Sequence, residues 1–270
     1  MPPPIGLVIA LESEARVLLG SGALQPMHGY GIRHLQLAPD LDLVLASDGV
    51  GIDAARRAAQ GLAEHGVSAL VSVGVAGGLA PGIDVGHIIL PSQILQTDGK
   101  RIFGAWLPDV AGIDDAHQCL TADGIAVRRG TVLTVSEGVL TRDAKAALFA
   151  RYRGLAVDME SAAVARVASE AGLPFFGLRA VCDPAEKTVP KELYEILDGD
   201  GKIRPGSVVM GLVRRPALVL DMWALGRLFS SARNSLKHAW QVAVHRRLLQ
   251  RIASNSACSL TVSEDVGPNP

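Results

Sequence analysis

Short apolar, β-branched runs alternate with alanine-rich runs along most of this chain, and that alternation constrains the fold more than any other feature. The apolar runs predict strands over 5–10, 42–47, 68–74, 87–95, 129–135, 154–157 and 174–181. The alanine-rich runs between them predict helices over 12–19, 52–65, 142–150, 158–171 and 205–214, with more helix beyond. Strands that alternate with helices make an α/β fold with a central mixed, largely parallel sheet flanked by helices. Several runs, such as Leu70-Val-Ser-Val-Gly, are apolar throughout rather than alternating. That pattern is expected where helices cover both sheet faces.

The chain has 270 residues, half of them apolar (49%), enough for one α/β domain with a sizeable core. We assign that domain to residues 1–214, a basic helical extension to 215–253 and a polar, disordered tail to 254–270. Charge divides somewhat earlier, near residue 200. Residues 1–200 hold 16 Lys/Arg against 24 Asp/Glu, whereas residues 201–251 hold ten Lys/Arg against Asp221 alone. Aromatic residues are only 4% of the chain, too few for a base-stacking platform, so no nucleic-acid partner is expected.

Cys119, Cys182 and Cys258 are far apart and form no metal or disulfide pattern. The seven histidines, His28, His87 and His117 among them, lack metal-ligand spacing, and no P-loop is present. Neither a metal nor a cofactor is expected. The Met1-Pro-Pro-Pro start carries no basic stretch before its apolar run, and no 18-residue apolar run exists. A cytoplasmic protein is the expectation.

Three acids fall where a strand hands over to a loop or helix: Glu14, Glu160 and Asp183. Ligands of open α/β sheets bind beyond the carboxyl ends of the strands. Three carboxylates converging there point to acid/base chemistry on a small molecule. Each also has a plain structural explanation. Glu14 suits the first turn of a helix, Asp183 precedes Pro184 and suits a turn, and Glu160 suits a solvated helix position. The glycine-rich stretch Gly74-Val75-Ala76-Gly77-Gly78 lets a ligand approach the backbone, or simply makes a tight turn.

Taken together, Ala10-Leu-Glu-Ser-Glu14-Ala, Val73-Gly-Val-Ala-Gly-Gly-Leu-Ala-Pro, Val157-Asp-Met-Glu160-Ser-Ala-Ala and Leu178-Arg-Ala-Val-Cys-Asp183 resemble the purine nucleoside phosphorylase/nucleosidase superfamily. Within it the chain is most similar to the 5′-methylthioadenosine/S-adenosylhomocysteine nucleosidase branch, over roughly residues 5–214. The basic C-terminal extension resembles the hopanoid-associated phosphorylase group, thought to remove adenine from adenosylhopane. The resemblance implies that Asp183 protonates the departing purine and that Glu14 activates water. It implies that Glu160 binds the ribose hydroxyls and Met159 packs on the sugar. Val75, Ala76, Gly77 and Gly78 would form the substrate loop, Ser136 would lie near the purine, and the protein would be a homodimer.

Two departures bear on the substrate. Val75 stands where the family's nucleosidase loop commonly carries Ser, which removes a hydroxyl and makes the pocket more apolar. The Asp of the common Ser-Gly-Asp run after Ser136 is absent. A third feature bears on the nucleophile: Glu12 and Glu14 occupy the place of a cationic phosphate-binding loop, which favours water over phosphate. Phosphorolysis of the same substrate, methylthioadenosine/adenosylhomocysteine salvage and a non-enzymatic nucleoside-binding adaptor remain the alternatives.

In the extension, Leu218, Met222, Leu225 and Phe229, then Leu236, Trp240, Val244 and Leu248, recur at helical spacing. Arg227, Arg233, Lys237, Arg246 and Arg247 decorate the same segments. Basic amphipathic helices of this kind lie on an anionic membrane surface or pack on protein.

Overall fold

The computed structural model describes residues 3–20, 32–190, 218–254 and 258–260. The helix expected over 205–214, with Pro205 and Pro216, lies outside the described residues. Ten strands form one sheet: β1 Ile5–Val8, β2 Ile32–Ala38, β3 Leu41–Ala46, β4 Leu70–Gly78, β5 Ile88–Thr97, β6 Ile102–Leu107, β7 Val127–Thr134, β8 Ala156–Asp158, β9 Phe175–Asp183 and β10 Ser259–Leu260. Among the described residues seven helices accompany them: α1 Glu12–Leu19, α2 Ile52–Glu64, α3 Val110–Ala122, α4 Arg142–Tyr152, α5 Ser161–Glu170, α6 Leu218–His245 and α7 Leu248–Ala253.

The sheet is mixed, as expected. Its two longest ladders, β4 with β9 and β5 with β7, are parallel, as are β1 with β3 and with β4. Antiparallel pairs occur at the margins, in the β2–β3 hairpin and the β5–β6 pair, and also within the sheet, between β4 and β8 and between β5 and β9. Strand β9 pairs with both β4 and β5, so β4, β9, β5, β7 and β8 close into a ring. The carboxyl ends of β4, β8 and β9 therefore meet at one place.

Small residues bring the helices close. Helix α5 buries Ala162, Ala163, Val164, Ala165, Val167 and Ala168, and packs with Ala55, Ala58 and Ala59 of α2. Asp109 caps α3 through Gly112 N at 2.8 Å, and Thr141 caps α4 through Ala144 N at 3.2 Å. Such caps contribute about 1 kcal/mol each.

The extension is helical, as expected, and of its two expected placements much of the described part takes the second: one 28-residue helix followed by a short one, both lying on the main core. Ala232, Leu236, Ala239, Trp240 and Ala243 of α6, with Leu248, Leu249 and Ile252 of α7, are buried among residues of β1, β3, β4 and β9. Trp240, at 2% exposure, is therefore a core residue and does not insert into lipid. Its basic residues are also partly spoken for. Arg246 pairs with Asp123, Arg247 with Asp40 and Arg251 with Asp115, all on the acidic body. Three of the ten cations of residues 201–251 are thus matched by acids of the body. The tail expected to be disordered also supplies Ser259–Leu260, which pair antiparallel with Leu107 and Trp106 of β6. Among the described residues no helix is long and apolar enough to cross a membrane.

Candidate active site

A cavity of about 440 Å³ opens where β4, β8 and β9 end, and its lining is predominantly apolar. It gathers all three sequence-predicted acids. Glu14 comes from the first turn of α1, Glu160 from the turn between β8 and α5, and Asp183 from the end of β9. Met159, Val75, Ala76 and Gly77 also line it.

Two predicted residues stand elsewhere. Gly78 lies behind the wall: a Cβ there would sit 3.2 Å from the backbone oxygen of Asp183 and from the Val181 side chain. Its role is to let β4 approach β9 at the bulge after Ala76. Ser136 is exposed and outside the lining, although its neighbours Val135 and Gly138 belong to it.

Glu14 is 2% exposed and accepts a hydrogen bond from Val75 N at 3.1 Å. Burial pushes its carboxyl up to about 7, and the nearby Glu160 carboxylate adds to the rise. Arg179 and the Val75 N–H pull the other way. Gly74 clears the space beside it, since a Cβ there would lie 3.4 Å from Glu14 Oε2. A carboxyl titrating near neutrality is suited to general-base work.

Glu160 accepts from Gly51 N at 2.9 Å and from Met159 N at 3.3 Å. Gly51 has φ of +105°, a conformation that favours glycine, and it carries the loop before α2 across to the site. Burial raises the Glu160 carboxyl, with the neighbouring Asp158 adding to the effect, while Arg179 lowers it.

Beneath these acids lies a charged cluster that the sequence reading did not single out. Arg179 donates to Asp158 Oδ2 at 2.7 Å, to Ser72 O at 2.9 Å and to Ser72 Oγ at 2.8 Å. Asp158 also accepts from Thr134 Oγ1 at 2.7 Å and from Ser161 N. Both members of the pair are buried. Removing one partner of such a pair typically costs about 3–5 kcal/mol, because the other charge is left unpaired. A signal was available: a lone Arg inside the apolar run Phe175–Asp183 requires a buried anion.

Asp183 is held differently. Lys145 of α4, fully buried, donates to Asp183 Oδ2, to Pro184 O at 2.9 Å and to Lys187 O at 3.1 Å. The Cys182 thiol lies 3.1 Å from Asp183 Oδ1. Burial raises the Asp183 carboxyl above the ordinary range, and the Lys145 ammonium opposes that rise. Burial and the adjacent Asp183 carboxylate push the Cys182 thiol up, so it stays protonated.

The far wall is supplied by the extension. Leu225 and Phe229 of α6 line the cavity together with Leu11, Val50, Leu140 and Val189. Among the described residues, no cluster of His, Cys, Asp and Glu is arranged to hold a metal.

A sequence model of the phosphorylase superfamily matches residues 4–201. A 5′-methylthioadenosine/S-adenosylhomocysteine nucleosidase of Marinomonas sp. (strain MWYL1) is 28% identical over 173 residues, covering 58% of this chain and 74% of that protein. The enzyme of the same name from Bacillus thuringiensis subsp. konkukian is 26% identical over 212 residues, covering 72% of this chain and 91% of its own. Among solved structures, the Helicobacter pylori nucleosidase with butyl-thio-DADMe-Immucillin-A superposes with a TM-score of 0.67 at 16% identity. That superposition covers 93% of this chain and 99% of the other. Futalosine hydrolase of H. pylori gives a TM-score of 0.68 at 15% identity, covering 90% and 98%. The structural likeness speaks for the fold, and the family match agrees with the convergence of Glu14, Glu160 and Asp183. The chain belongs to the phosphorylase superfamily and is an enzyme, a nucleosidase or nucleoside phosphorylase.

Proposed function

We propose that this enzyme hydrolyses the N-glycosidic bond of an adenosyl compound with a bulky apolar 5′-substituent, releasing adenine, and that adenosylhopane is its substrate. The observation that carries the hydrolytic reading is the buried Glu14 beside a cavity in which, among the described residues, the lining cation is already engaged. Arg179 is bound to Asp158 and Ser72. Just behind the wall, Lys145 is bound to Asp183 and two carbonyls. A phosphate nucleophile needs free donors of the kind these groups no longer offer.

The chemistry balances as follows. Asp183 gives its proton to purine N7 as the C1′–N9 bond breaks and the electron pair leaves with adenine. Water then bonds to C1′ and surrenders a proton to Glu14. Glu160 accepts from the ribose 2′- and 3′-hydroxyls, and these bonds strengthen as the sugar becomes cationic. Met159 packs on the sugar. Leu225 and Phe229, with Val75 in place of a hydroxyl, favour an apolar 5′-group over a small or charged one.

The same reading places the enzyme in the cytoplasm, on the inner membrane face. Trp223, 64% exposed and covered by the Arg227 guanidinium at 4.8 Å, precedes Leu225 and Phe229 on the same helix. This first half of α6 is where a lipid surface would touch. Salt-sensitive binding to anionic vesicles, weakened by Trp223→Ala, is expected; absence of binding at low salt would remove this part. A homodimer is also proposed. Phe103 and Val110 are the large apolar side chains that the body leaves exposed, and light scattering should give twice the chain mass.

The test of function is direct. Adenosylhopane and methylthioadenosine are supplied with and without phosphate, and the sugar product is identified. Adenine and a free ribosyl product without phosphate, with adenosylhopane preferred, is the expected result. A strict phosphate requirement yielding a ribosyl 1-phosphate would establish the phosphorolytic alternative instead.

A further inference from the structure

Lys145 is a buried cation that the reaction above does not use, and its surroundings give it a specific task. Its three hydrogen bonds converge on one short segment: Asp183, Pro184 and Lys187. Two further bonds stitch the same segment to the start of α4. Val189 N donates to Leu140 O at 2.8 Å, and Arg142 N donates to Thr188 Oγ1 at 3.3 Å. Leu140 and Val189 both line the cavity. The start of α4 and residues 184–189 therefore form one continuous wall, and Lys145 is the pin between that wall and the acid.

We propose that Lys145 is a positioning residue for glycosidic cleavage, fixing the Asp183 carboxyl for proton donation and locking residues 184–189 as the wall of the site. The proposal rests on the reading of Asp183 as the acid. With Oδ2 bound to Lys145, the carboxyl cannot turn freely. Oδ1, next to the Cys182 thiol and the Gly77 backbone, is left to carry the transferable proton. After transfer the new carboxylate finds an ammonium already in contact, with no rearrangement needed. Lys145 also tunes the acid. Burial alone makes Asp183 a reluctant proton donor; the ammonium offsets this. The groups that bear on Asp183 are Lys145 from α4, Lys187 from the following loop and the neighbouring Cys182, so the tuning is chiefly that of Lys145.

The test compares wild type with Lys145→Met and Lys145→Gln in two ways. The Asp183 carboxyl is titrated by ¹³C NMR of aspartate-labelled protein, with Asp183→Asn assigning the signal. Adenine release is followed against pH in parallel. Loss of an adjacent opposite charge moves a carboxyl by about 1–3 units. The Asp183 titration should therefore move up by one unit or more in Lys145→Met. The falling limb of kcat/KM should move up with it, and kcat should drop more than about tenfold. Lys145→Gln keeps hydrogen bonding and should recover part of the rate without restoring the titration. An unmoved Asp183 titration in folded variants overturns the proposal. So does failure of both variants to fold, which would make Lys145 a structural residue. If wild type releases no adenine from any adenosyl nucleoside, the functional reading fails while the titration still decides the coupling.

Discussion

The two ends of the cavity hold the same functional group under opposite conditions. Glu14 is buried with a backbone N–H as its hydrogen-bond partner and another carboxylate nearby, and it sits near 7. Asp183 is buried against an ammonium that lies in direct contact with it. One environment keeps a carboxyl ready to take a proton near neutral pH. The other gives the carboxylate left after proton donation an immediate counter-charge. Pairs of carboxyls whose surroundings differ in this way divide acid from base work. Between them Glu160 is fixed by Gly51 N, and we propose that it serves the sugar rather than acting as acid or base.

Removing the acid should break the contrast most severely. Asp183→Asn keeps the shape, and its amide has no transferable proton. We expect adenine release to fall by about 10²–10⁴-fold in kcat with the fold intact. A variant retaining more than about a tenth of the wild-type kcat would contradict this role.

Replacing the base should separate activity from stability. The Glu14 pKa is raised from 4.5 to about 7 on folding. The folded state therefore binds the proton more tightly, and the stability gained at acid pH is lost as pH rises through that window. Above pH 7 the ionised, buried Glu14 costs about 3 kcal/mol, taking about 1.36 kcal/mol per unit. Glu14→Gln should thus melt higher than wild type at about pH 8 and similarly at about pH 5, while losing hydrolysis. Equal melting temperatures at both pH values would show that Glu14 is not destabilised by its burial.

The smallest of the three effects is expected at the sugar. Glu160→Gln weakens charge-assisted hydrogen bonds worth about 1.5–3 kcal/mol. The loss should appear as a roughly 10- to 100-fold fall in kcat with little change in KM. A raised KM with unchanged kcat would make Glu160 a ground-state binder only.

The acids were legible in the sequence because each interrupts an apolar context at a strand end. Arg179 was legible in principle for the same reason: it is a charge within a strand that is otherwise apolar. Lys145 was not. It lies in an alanine-rich helix where any lysine reads as solvent-facing, and its burial depends on residues 184–189 folding over it. Strand β2 and strand β6 carry no clean alternation, and α3 has a glycine in its first turn, so none of the three stood out. The placement of the extension could not be read from sequence for a different reason. Net positive charge fits a face toward lipid as well as one toward acidic protein, and Asp40, Asp115 and Asp123, which pair with Arg247, Arg251 and Arg246, are distant in sequence. Only the three-dimensional structure shows which charges are left over.

The central claim is that Glu14 acts as a base on water at one end of the cavity while Asp183 acts as an acid at the other. The pH dependence of kcat/KM for adenine release tests it most directly. The account predicts a limb that rises with pH, centred near the Glu14 value of about 7, as the base becomes ionised. A rate that is flat, or that already declines, between about pH 5.5 and pH 7.5 would contradict it.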